Sequence, residues 1–462
     1  MKLKPLARIA GLLLLIAPVF LPAPDGMADA AWLASGLALA MALWWLAEAL
    51  PLAATALLPL AAAPVLGIAD LGDVARSYSH PLIILFLGGF LLAKAIEKSG
   101  LHQRLAFTLL GVAGKSPGRV LAAIMLTTAF LSLWISNTAS AMVVAPIAGS
   151  IAASQSDRPA FGTALMLGVA FAATIGGMGS LIGTPPNAIF AAYVSTAYSL
   201  DVGFAQWAAV GVPVAVILLG LSWLVLARLT PGLDRRELAA SFDGRQKAMS
   251  IAERRVALIA GLTALAWISR PLIEWFFPAI VLTDAGIAML AAMTLFLVPS
   301  GNGGQLLDWE TAATLRWDVL VLFGGGLALA GILDQTDLAA WIGGTIQGLA
   351  HLPELLFLLV IAALVVFIGE LASNTAMAAI FLPIAGAAAT SLNVDPVVFM
   401  LPVAFSASIG FMLPVATPPN AIVFANPAVT RSDMLRAGAP LDVIGILVAV
   451  GMSSVLGPFF FG

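Results

Sequence analysis

Apolar residues run through almost the entire chain in long stretches that short polar segments separate. A helix that spans a membrane needs about 20 predominantly apolar residues, and eleven stretches reach or approach that length. They lie at about 7–22, 31–48, 51–67, 82–98, 160–197, 206–228, 255–277, 283–298, 318–333, 395–425 and 440–460. The pattern predicts an all-α polytopic membrane protein with eleven transmembrane helices.

Two further apolar stretches, at about 119–150 and about 354–388, are too long for one helix and carry polar residues at their centres. The first contains ISNTASAMVVAPIAG and the second contains ASNTAMAAIFLPIAG. We interpret each stretch as a re-entrant hairpin that enters and leaves the membrane at the same face. The SNT motif then forms the tip of each hairpin.

Composition agrees with a membrane location. The chain has 462 residues, of which 61% are hydrophobic and 10% charged, and its mean hydropathy is +1.04. It contains no cysteine, which excludes disulfides and thiolate metal sites. The net charge of -3 gives no reason to expect a nucleic-acid partner. Membrane lipid is the expected environment.

The positions of the basic residues predict the orientation, because short cytoplasmic loops carry excess Lys and Arg. With the N-terminus in the cytoplasm, all basic residues except Arg76 and Arg270 fall on the cytoplasmic side. We therefore predict a multi-pass protein of the cell inner membrane whose C-terminus is periplasmic or extracellular. The N-terminal run is followed by ADA, which is also typical of a cleaved signal peptide, but a retained first helix is the favoured interpretation.

The two halves of the chain resemble each other. Besides the SNT stretches, GTPPNAIFA and ATPPNAIVFA form a pair, as do LGGFLLA and FGGGLAL, each about 235 residues apart. With the first helix set aside, each half has five crossings and a hairpin, and an odd number of crossings gives the halves opposite orientations. The predicted units are a first transmembrane helix and periplasmic loop at 1–30, inverted repeat 1 at 31–228, a cytoplasmic linker at 229–254 and inverted repeat 2 at 255–462.

The TPPN motifs predict a broken helix in each repeat, within about 160–197 and about 395–425. Tandem prolines lack amide hydrogens and exclude the helical conformation from the preceding threonine. A break inside a membrane is tolerable where its freed backbone groups line a cavity. Freed carbonyls suit Na⁺ and helix N-termini suit an anion. We also expect the asparagine of each TPPN to add a polar lining. Inverted repeats with interrupted helices are typical of secondary transporters.

The paired SNT hairpins, the paired TPPN breaks and WWLAEALPLAATALLP at 44–59 resemble the divalent-anion:sodium symporter family, the INDY-like sodium-coupled di- and tricarboxylate transporters. The resemblance covers nearly the whole chain. It implies a homodimer in which each protomer has a scaffold domain and a mobile transport domain that moves as an elevator. It also implies cotransport of Na⁺ with a dicarboxylate, a tricarboxylate or sulfate.

The resemblance also implies site residues, two or more Na⁺ sites and no organic cofactor. The first Na⁺ site corresponds to Ser132, Ser136, Asn137 and Gly183. The second corresponds to Gly369, Ala372, Asn374 and Ala416, where backbone carbonyls must contribute more because the serine hydroxyl is missing. The substrate-binding residues correspond to Asn137, Thr138, Thr184, Asn374, Thr375, Thr417 and Pro418.

Neither motif has a Lys or Arg within ten residues. Bound Na⁺ can therefore supply the positive charge that a dianion needs in a low-dielectric site, and we expect Na⁺ to bind first. The favoured function is Na⁺-coupled symport of a C4-dicarboxylate such as succinate, malate or fumarate. Dicarboxylate exchange, citrate or sulfate as the substrate, and an anion channel are the alternatives. An enzyme is not favoured, because the spans lack an activated nucleophile or a metal motif.

A few residues outside these motifs are also distinctive. Glu48 and Glu370 are acids in apolar surroundings, and we expect a structural hydrogen-bonding role for both, with a proton or cation site as the alternative for Glu370. The glycine runs at 88–89 and 324–326 are expected to be positions of close helix packing.

Overall fold

The computed structural model describes residues 3–461 except 112–113, 156, 232–247, 278–281, 302 and 347–352. In this part of the chain every secondary-structure element of several residues is a helix. The first half contains α1 (Leu3–Phe20), α2 (Asp29–Leu46), α3 (Leu52–Ala56), α4 (Leu58–Val65), α5 (Leu71–Ser77), α6 (Pro81–Ser99), α7 (Leu101–Leu110), α8 (Pro117–Ser132), α9 (Asn137–Ser154), α10 (Pro159–Met178), α11 (Pro185–Tyr198) and α12 (Phe204–Leu229). The second half contains α13 (Ile251–Phe276), α14 (Asp284–Leu297), α15 (Trp309–Ala313), α16 (Trp317–Gln335), α17 (Leu338–Ile346), α18 (Glu354–Gly369), α19 (Asn374–Leu392), α20 (Pro396–Ser406), α21 (Pro418–Phe424) and α22 (Arg431–Phe460).

Among the described residues, eight helical stretches are long and apolar enough to cross a membrane. They are α2, the continuous stretch of α5 and α6, α10, α12, α13, α16, α19 and α22. The prediction of an all-α polytopic membrane protein is confirmed. Every apolar stretch predicted from the sequence is helical, whereas the short helices α5, α7, α15 and α17 were not predicted. Most of the predicted linker lies outside the described residues.

Each SNT motif lies at a turn between two helices that pack together. Helix α8 ends at Ser132 and α9 begins at Asn137, while α18 ends at Gly369 and α19 begins at Asn374. In the first turn Ser136 is the N-cap residue of α9, and its Oγ accepts a hydrogen bond from the Ala139 amide at 3.2 Å. Serine suits this position because its hydroxyl satisfies an amide that has no partner within the helix.

The predicted breaks occur where the TPPN motifs place them. Helix α10 ends before the first motif and α11 begins at Pro185, and likewise α20 ends before the second motif and α21 begins at Pro418. Thr184 and Thr417 are extended, with φ of -144° and -139°. The cause is the ring of the following proline, which disfavours a helical conformation at the preceding residue.

Helices of the two predicted repeats pack against each other across the middle of the chain. Helix α11, which follows the break of repeat 1, packs against α19 of the second hairpin. Helix α21, which follows the break of repeat 2, packs against α9 of the first hairpin. Both halves of the chain are therefore needed to complete the centre of the protein, and α10, which is buried along nearly its whole length, lies within that centre.

The glycine runs lie at close helix contacts, as predicted. A Cβ atom added at Gly88 would lie 2.6 Å from the Cβ of Ala288 on α14, which is closer than real Cβ atoms approach. A Cβ at Gly325 would overlap the backbone of Ala56. These positions admit no side chain because the helix backbones touch.

Helix α1 packs along α2 and is fixed to the end of it. Trp44 Nε1 donates to the Ala7 carbonyl at 3.1 Å, and Arg8 Nε donates to the carbonyl of Ala49 at 2.7 Å. Glu48 has a φ of 44° and its carboxylate lies 3.6 Å from Lys4 Nζ. Glu48 thus forms an exposed ion pair with Lys4 of α1.

Candidate functional site

The two hairpin tips and the two breaks surround one cavity of about 590 Å³. The SNT motifs line it with Ser136, Asn137, Thr138, Ser373, Asn374 and Thr375. The breaks line it with Gly183, Thr184, Pro185, Ala416, Thr417, Pro418 and Pro419. The fold therefore brings together four motifs that are far apart in the sequence.

The structure places nearly all the predicted site residues at this cavity. All the predicted substrate-binding residues line it: Asn137, Thr138, Thr184, Asn374, Thr375, Thr417 and Pro418. Of the predicted Na⁺ residues, those at the cavity wall are Ser136, Asn137, Gly183, Ala372, Asn374 and Ala416. Ser132 and Gly369 are buried at the ends of α8 and α18 and are not part of the wall.

Four oxygen atoms crowd together behind the first SNT motif. Asn137 Oδ1 lies 2.6 Å from Ser132 Oγ, 3.2 Å from the Ala173 carbonyl and 3.3 Å from the Gly183 carbonyl. The Ser132 hydroxyl has one hydrogen, yet it lies 2.6 Å from both Asn137 Oδ1 and the carbonyl of Ala173. In the opposite orientation of the amide, its nitrogen takes the place of Oδ1 and brings two hydrogens for the three neighbouring oxygens, which relieves the crowding without an ion. With Oδ1 in this place, the crowding is relieved by a small hard cation. These oxygens fit Na⁺.

The second SNT motif has fewer side-chain oxygens around it. Asn374 Oδ1 is buried and has no hydrogen-bond partner among the described residues. The residues that match Ser132 and Ser136 in the repeat are Gly369 and Ser373, and Gly369 has no hydroxyl to contribute. A cation at this position therefore depends on Asn374 and on backbone carbonyls.

The asparagines of the TPPN motifs do not line the cavity, so that interpretation was wrong. Asn187 is fully buried, and its Nδ2 donates to the Gly177 carbonyl at 3.0 Å and the Ser180 carbonyl at 2.8 Å. Asn420 makes the equivalent two bonds in the second break, at 3.0 and 2.9 Å. Each asparagine points inward because the break leaves backbone carbonyls without helical partners, and the amide satisfies two of them.

Helix N-termini supply the positive potential at the cavity. The helices α9 and α19 begin at residues that line it, and the unpaired amides at such ends attract anions. This arrangement favours negative charge without a Lys or Arg in either motif.

Two basic residues also line the cavity, and sequence reasoning missed both. Lys94 Nζ is 2.8 Å from Glu97 Oε2, and Arg316 donates to both carboxylate oxygens of Asp318 at 2.9 and 2.8 Å. The hydrogen bonds that Arg316 donates to Asp318 raise the pKa of its guanidinium above the ordinary value. Each basic residue is already paired with an acidic neighbour, so both ion pairs contribute little net charge. No motif marked them, because they belong to α6 and to the start of α16.

Two buried carboxyl groups hold the second break. Glu370 Oε1 and Oε2 accept hydrogen bonds from the amides of Met412 and Leu413, both at 2.8 Å. Asp442 Oδ1 accepts from the Phe411 amide at 3.0 Å. The structural role expected for Glu370 is therefore present. The role of Asp442 was not predicted, because it lies on α22 and far along the chain from both motifs.

Comparison with known proteins gives relatives along the full length. The chain is 37% identical over 463 aligned positions to a sodium-dependent dicarboxylate transporter, SdcS, of Staphylococcus saprophyticus, covering 96% of this chain and 89% of the relative. It is 35% identical to SdcS of Staphylococcus aureus, covering 89% of this chain and 83% of the relative.

Solved structures share the fold at low sequence identity. The MtrF efflux pump of Neisseria gonorrhoeae aligns with a TM-score of 0.61 at 12% identity, over 98% of this chain and 95% of that one. The YdaH transporter of Alcanivorax borkumensis aligns with a TM-score of 0.58 at 16% identity, over 84% and 88%.

The family described as the sodium:sulfate symporter transmembrane region matches residues 3–461. This match, together with the full-length relatives, shows that the chain belongs to the sodium:sulfate symporter family, the divalent-anion:sodium symporters that its paired motifs resemble.

Proposed function

We propose that this protein is a Na⁺-coupled symporter of a divalent anion, with a C4-dicarboxylate such as succinate, malate or fumarate as the substrate. The observation that carries the proposal is the meeting of both SNT tips and both proline breaks at one cavity. The names of the relatives, sodium-dependent dicarboxylate transporters, support the same substrate class.

Two cations and one dianion suit this cavity. Na⁺ occupies the oxygen cluster around Asn137 and Ser132, and a second Na⁺ lies beside Asn374. The dianion lies between the N-termini of α9 and α19, where each asparagine directs its amide oxygen to Na⁺ and its amide nitrogen to a carboxylate. Thr138, Thr375 and the threonines that precede the prolines complete the polar wall.

Ordered binding follows from the charges. A Na⁺ ion 4 Å from a carboxylate contributes about 4 kcal/mol at an effective dielectric constant of about 20. Without Na⁺, the dianion meets helix N-termini and paired side chains only. Na⁺ therefore binds first and the dianion second.

The same proposal includes the membrane architecture. The chain crosses the inner membrane eleven times, with a cytoplasmic N-terminus and an external C-terminus, and the two hairpins enter from opposite sides. The hairpins and broken helices form the transport domain, which moves as an elevator against a scaffold that holds two protomers together as a homodimer. Inverted repeats of this kind typically carry substrate near the bilayer midplane.

Uptake of labelled succinate into proteoliposomes tests the function. We expect uptake with an inward Na⁺ gradient and none when K⁺ or choline replaces Na⁺. Asn137→Ala and Asn374→Ala should each reduce uptake by at least about tenfold, because each removes a contact worth about 1.4 kcal/mol or more. Asn426→Ala, the same change outside the cavity wall, should retain uptake.

Three results would contradict the proposal. Undiminished uptake in Na⁺-free buffer would remove Na⁺ coupling. Uptake that requires internal succinate would show exchange instead of symport. Succinate-dependent single-channel currents would indicate a channel.

A further inference from the structure

The two breaks are fastened to their hairpins at equivalent positions but with different chemistry. In repeat 1, Ser180 Oγ donates to the Leu133 carbonyl at 2.6 Å. The matching positions in repeat 2 are Leu413 and Glu370, and here the Leu413 amide donates to Glu370 Oε2 at 2.8 Å. The hydrogen bond between break and hairpin thus joins a hydroxyl to a backbone carbonyl in repeat 1 and a backbone amide to a carboxyl group in repeat 2.

Glu370 lies directly behind the second predicted Na⁺ site. It is 2% exposed, follows Gly369 and precedes Ala372 by two positions. A Cβ atom added at Gly410 would lie 3.8 Å from Glu370 Oε1 and 3.2 Å from the Ala416 Cβ. Gly410 therefore contacts both residues and lies between them. The side chain of Glu370 thus links the two segments, at the end of α18 and before α21, that would share the second Na⁺.

Glu370 has no cationic partner in the part of the chain that the structure describes. Neither Glu370 nor Asp442 forms an ion pair with Lys or Arg there. Asp442, on α22, contacts the Glu370 carboxyl group, and its Oδ2 has no hydrogen-bond partner among the described residues. Two backbone amides donate to the Glu370 carboxylate, but no basic side chain pairs with it. Burying a carboxylate without an ionic partner is costly, and a nearby Na⁺ would offset part of that cost.

The second predicted Na⁺ site lacks a serine hydroxyl that is present at the first one. Ser132 supplies a hydroxyl oxygen to the first oxygen cluster, and the equivalent residue of repeat 2 is Gly369. The residue after it is Leu133 in repeat 1 and Glu370 in repeat 2. Repeat 2 thus loses a neutral ligand oxygen and gains an acid at the adjacent position.

We infer that Glu370 is a positioning residue for the second Na⁺ site. Its carboxylate holds residues 412–413 against the end of α18. Its negative charge lies close to the site and attracts Na⁺, which compensates for the hydroxyl oxygen that Gly369 lacks. This inference rests on the proposed Na⁺-coupled function and extends it to a residue outside the cavity wall.

The test measures Na⁺ binding and transport in the purified full-length protein. Thermal stabilisation in detergent is recorded as Na⁺ increases, with K⁺ keeping ionic strength constant, and Na⁺-dependent succinate uptake is measured in parallel. For Glu370→Gln we expect the Na⁺ concentration for half-maximal stabilisation and for half-maximal uptake to rise about tenfold. The reason is that the variant loses the attraction between the Glu370 carboxylate and the nearby Na⁺. The KM for succinate at saturating Na⁺ should change by less than about twofold, because Glu370 does not line the cavity.

Asp442→Asn is the matched control, because it neutralises the neighbouring carboxyl group and keeps an oxygen for the Phe411 amide. Its shift in Na⁺ dependence should be at most about threefold, and an equal or larger shift than that of Glu370→Gln would overturn the assignment. Glu370→Asp keeps the charge but shortens the reach to residues 412–413. It should give an intermediate shift that remains measurable if Glu370→Gln does not fold.

Two negative results are distinguishable. If wild-type protein shows neither Na⁺ stabilisation nor Na⁺-dependent uptake, the proposed function fails. If wild-type protein shows both and either Glu370 variant retains the wild-type Na⁺ dependence, the inference about Glu370 fails and the function stands.

Discussion

The buried asparagine of each TPPN motif allows a quantitative test of how the breaks are held. Replacing Asn187 with leucine keeps the volume of the side chain and removes both donors. The Gly177 carbonyl then loses the partner that Asn187 gave it, at about 1–3 kcal/mol. The Ser180 carbonyl keeps its bond to the Gly183 amide and loses only its second bond, at about 1 kcal/mol. Asn187 Oδ1 itself has no partner among the described residues, and its removal returns about 1–3 kcal/mol. The expected net loss of stability is about 1 kcal/mol.

The assay is thermal unfolding of purified protein in detergent. One kcal/mol shifts Tm by about 2–4 °C in domains of 150–250 residues and by less in longer chains, so we expect a fall of about 1–2 °C for Asn187→Leu. Ser195→Ala is the control on the same helix, because it removes one exposed hydrogen bond to Asp201. Substitutions of exposed residues such as this one change the free energy of unfolding by no more than about 0.5 kcal/mol.

Transport should also respond. Gly183 lies against Gly177 and its amide donates to the carbonyl of Ser180 at 3.1 Å, so loosening this turn displaces a predicted Na⁺ residue. We expect Asn187→Leu to raise the Na⁺ concentration that uptake requires. A Tm and Na⁺ dependence equal to those of Ser195→Ala would refute the idea that the asparagine holds the break.

Three further predictions concern packing, the first oxygen cluster and the cavity charges. Gly88→Val should abolish folded expression, because the new side chain overlaps α14, whereas Gly261→Ala, which meets open space, should express normally; size-exclusion chromatography separates the two. Ser132→Ala should raise the Na⁺ concentration for half-maximal uptake by several-fold, since it removes one oxygen of the cluster, and an unchanged Na⁺ curve would exclude Ser132 as a ligand. Asp318→Asn leaves the Arg316 guanidinium without the carboxylate that pairs with it. The initial rate of dianion transport should then increase by about two- to threefold at low ionic strength, and the increase should disappear above about 0.15 M salt.

The motifs at the cavity were predictable because their chemistry is local. A proline pair excludes the helical conformation from the residue before it. The serine of each SNT motif occupies the N-cap position of the next helix, and Ser136 also caps α9 through its side chain. The positions of Asn137 and Asn374 therefore follow from short stretches of sequence. The fold then places the motifs of the two halves around one cavity. The apolar stretches predicted every long helix for the same reason, since each one is long enough to identify by itself.

The rest of the site depends on contacts between distant parts of the chain. Asn187 was expected at the cavity wall because a polar residue beside a break can face either way, and only the fold shows which carbonyls lack partners. Lys94 and Arg316 reach the cavity from helices that carry no motif. Asp442 meets the second break across a separation of about 30 residues. No local signal in the sequence reports such pairings.

The packing of helices between the repeats has a consequence for the origin of the protein. Helix α11 completes the second hairpin and α21 completes the first, so a half-length ancestor could not have closed its own centre. With the two halves in opposite orientations, as proposed, such an ancestor must have inserted into the membrane both ways up and paired with an upside-down copy of itself. On the same proposal, duplication of the gene allowed the two copies to diverge, and fusion fixed one copy in each direction. The two halves now differ at Leu133 and Glu370.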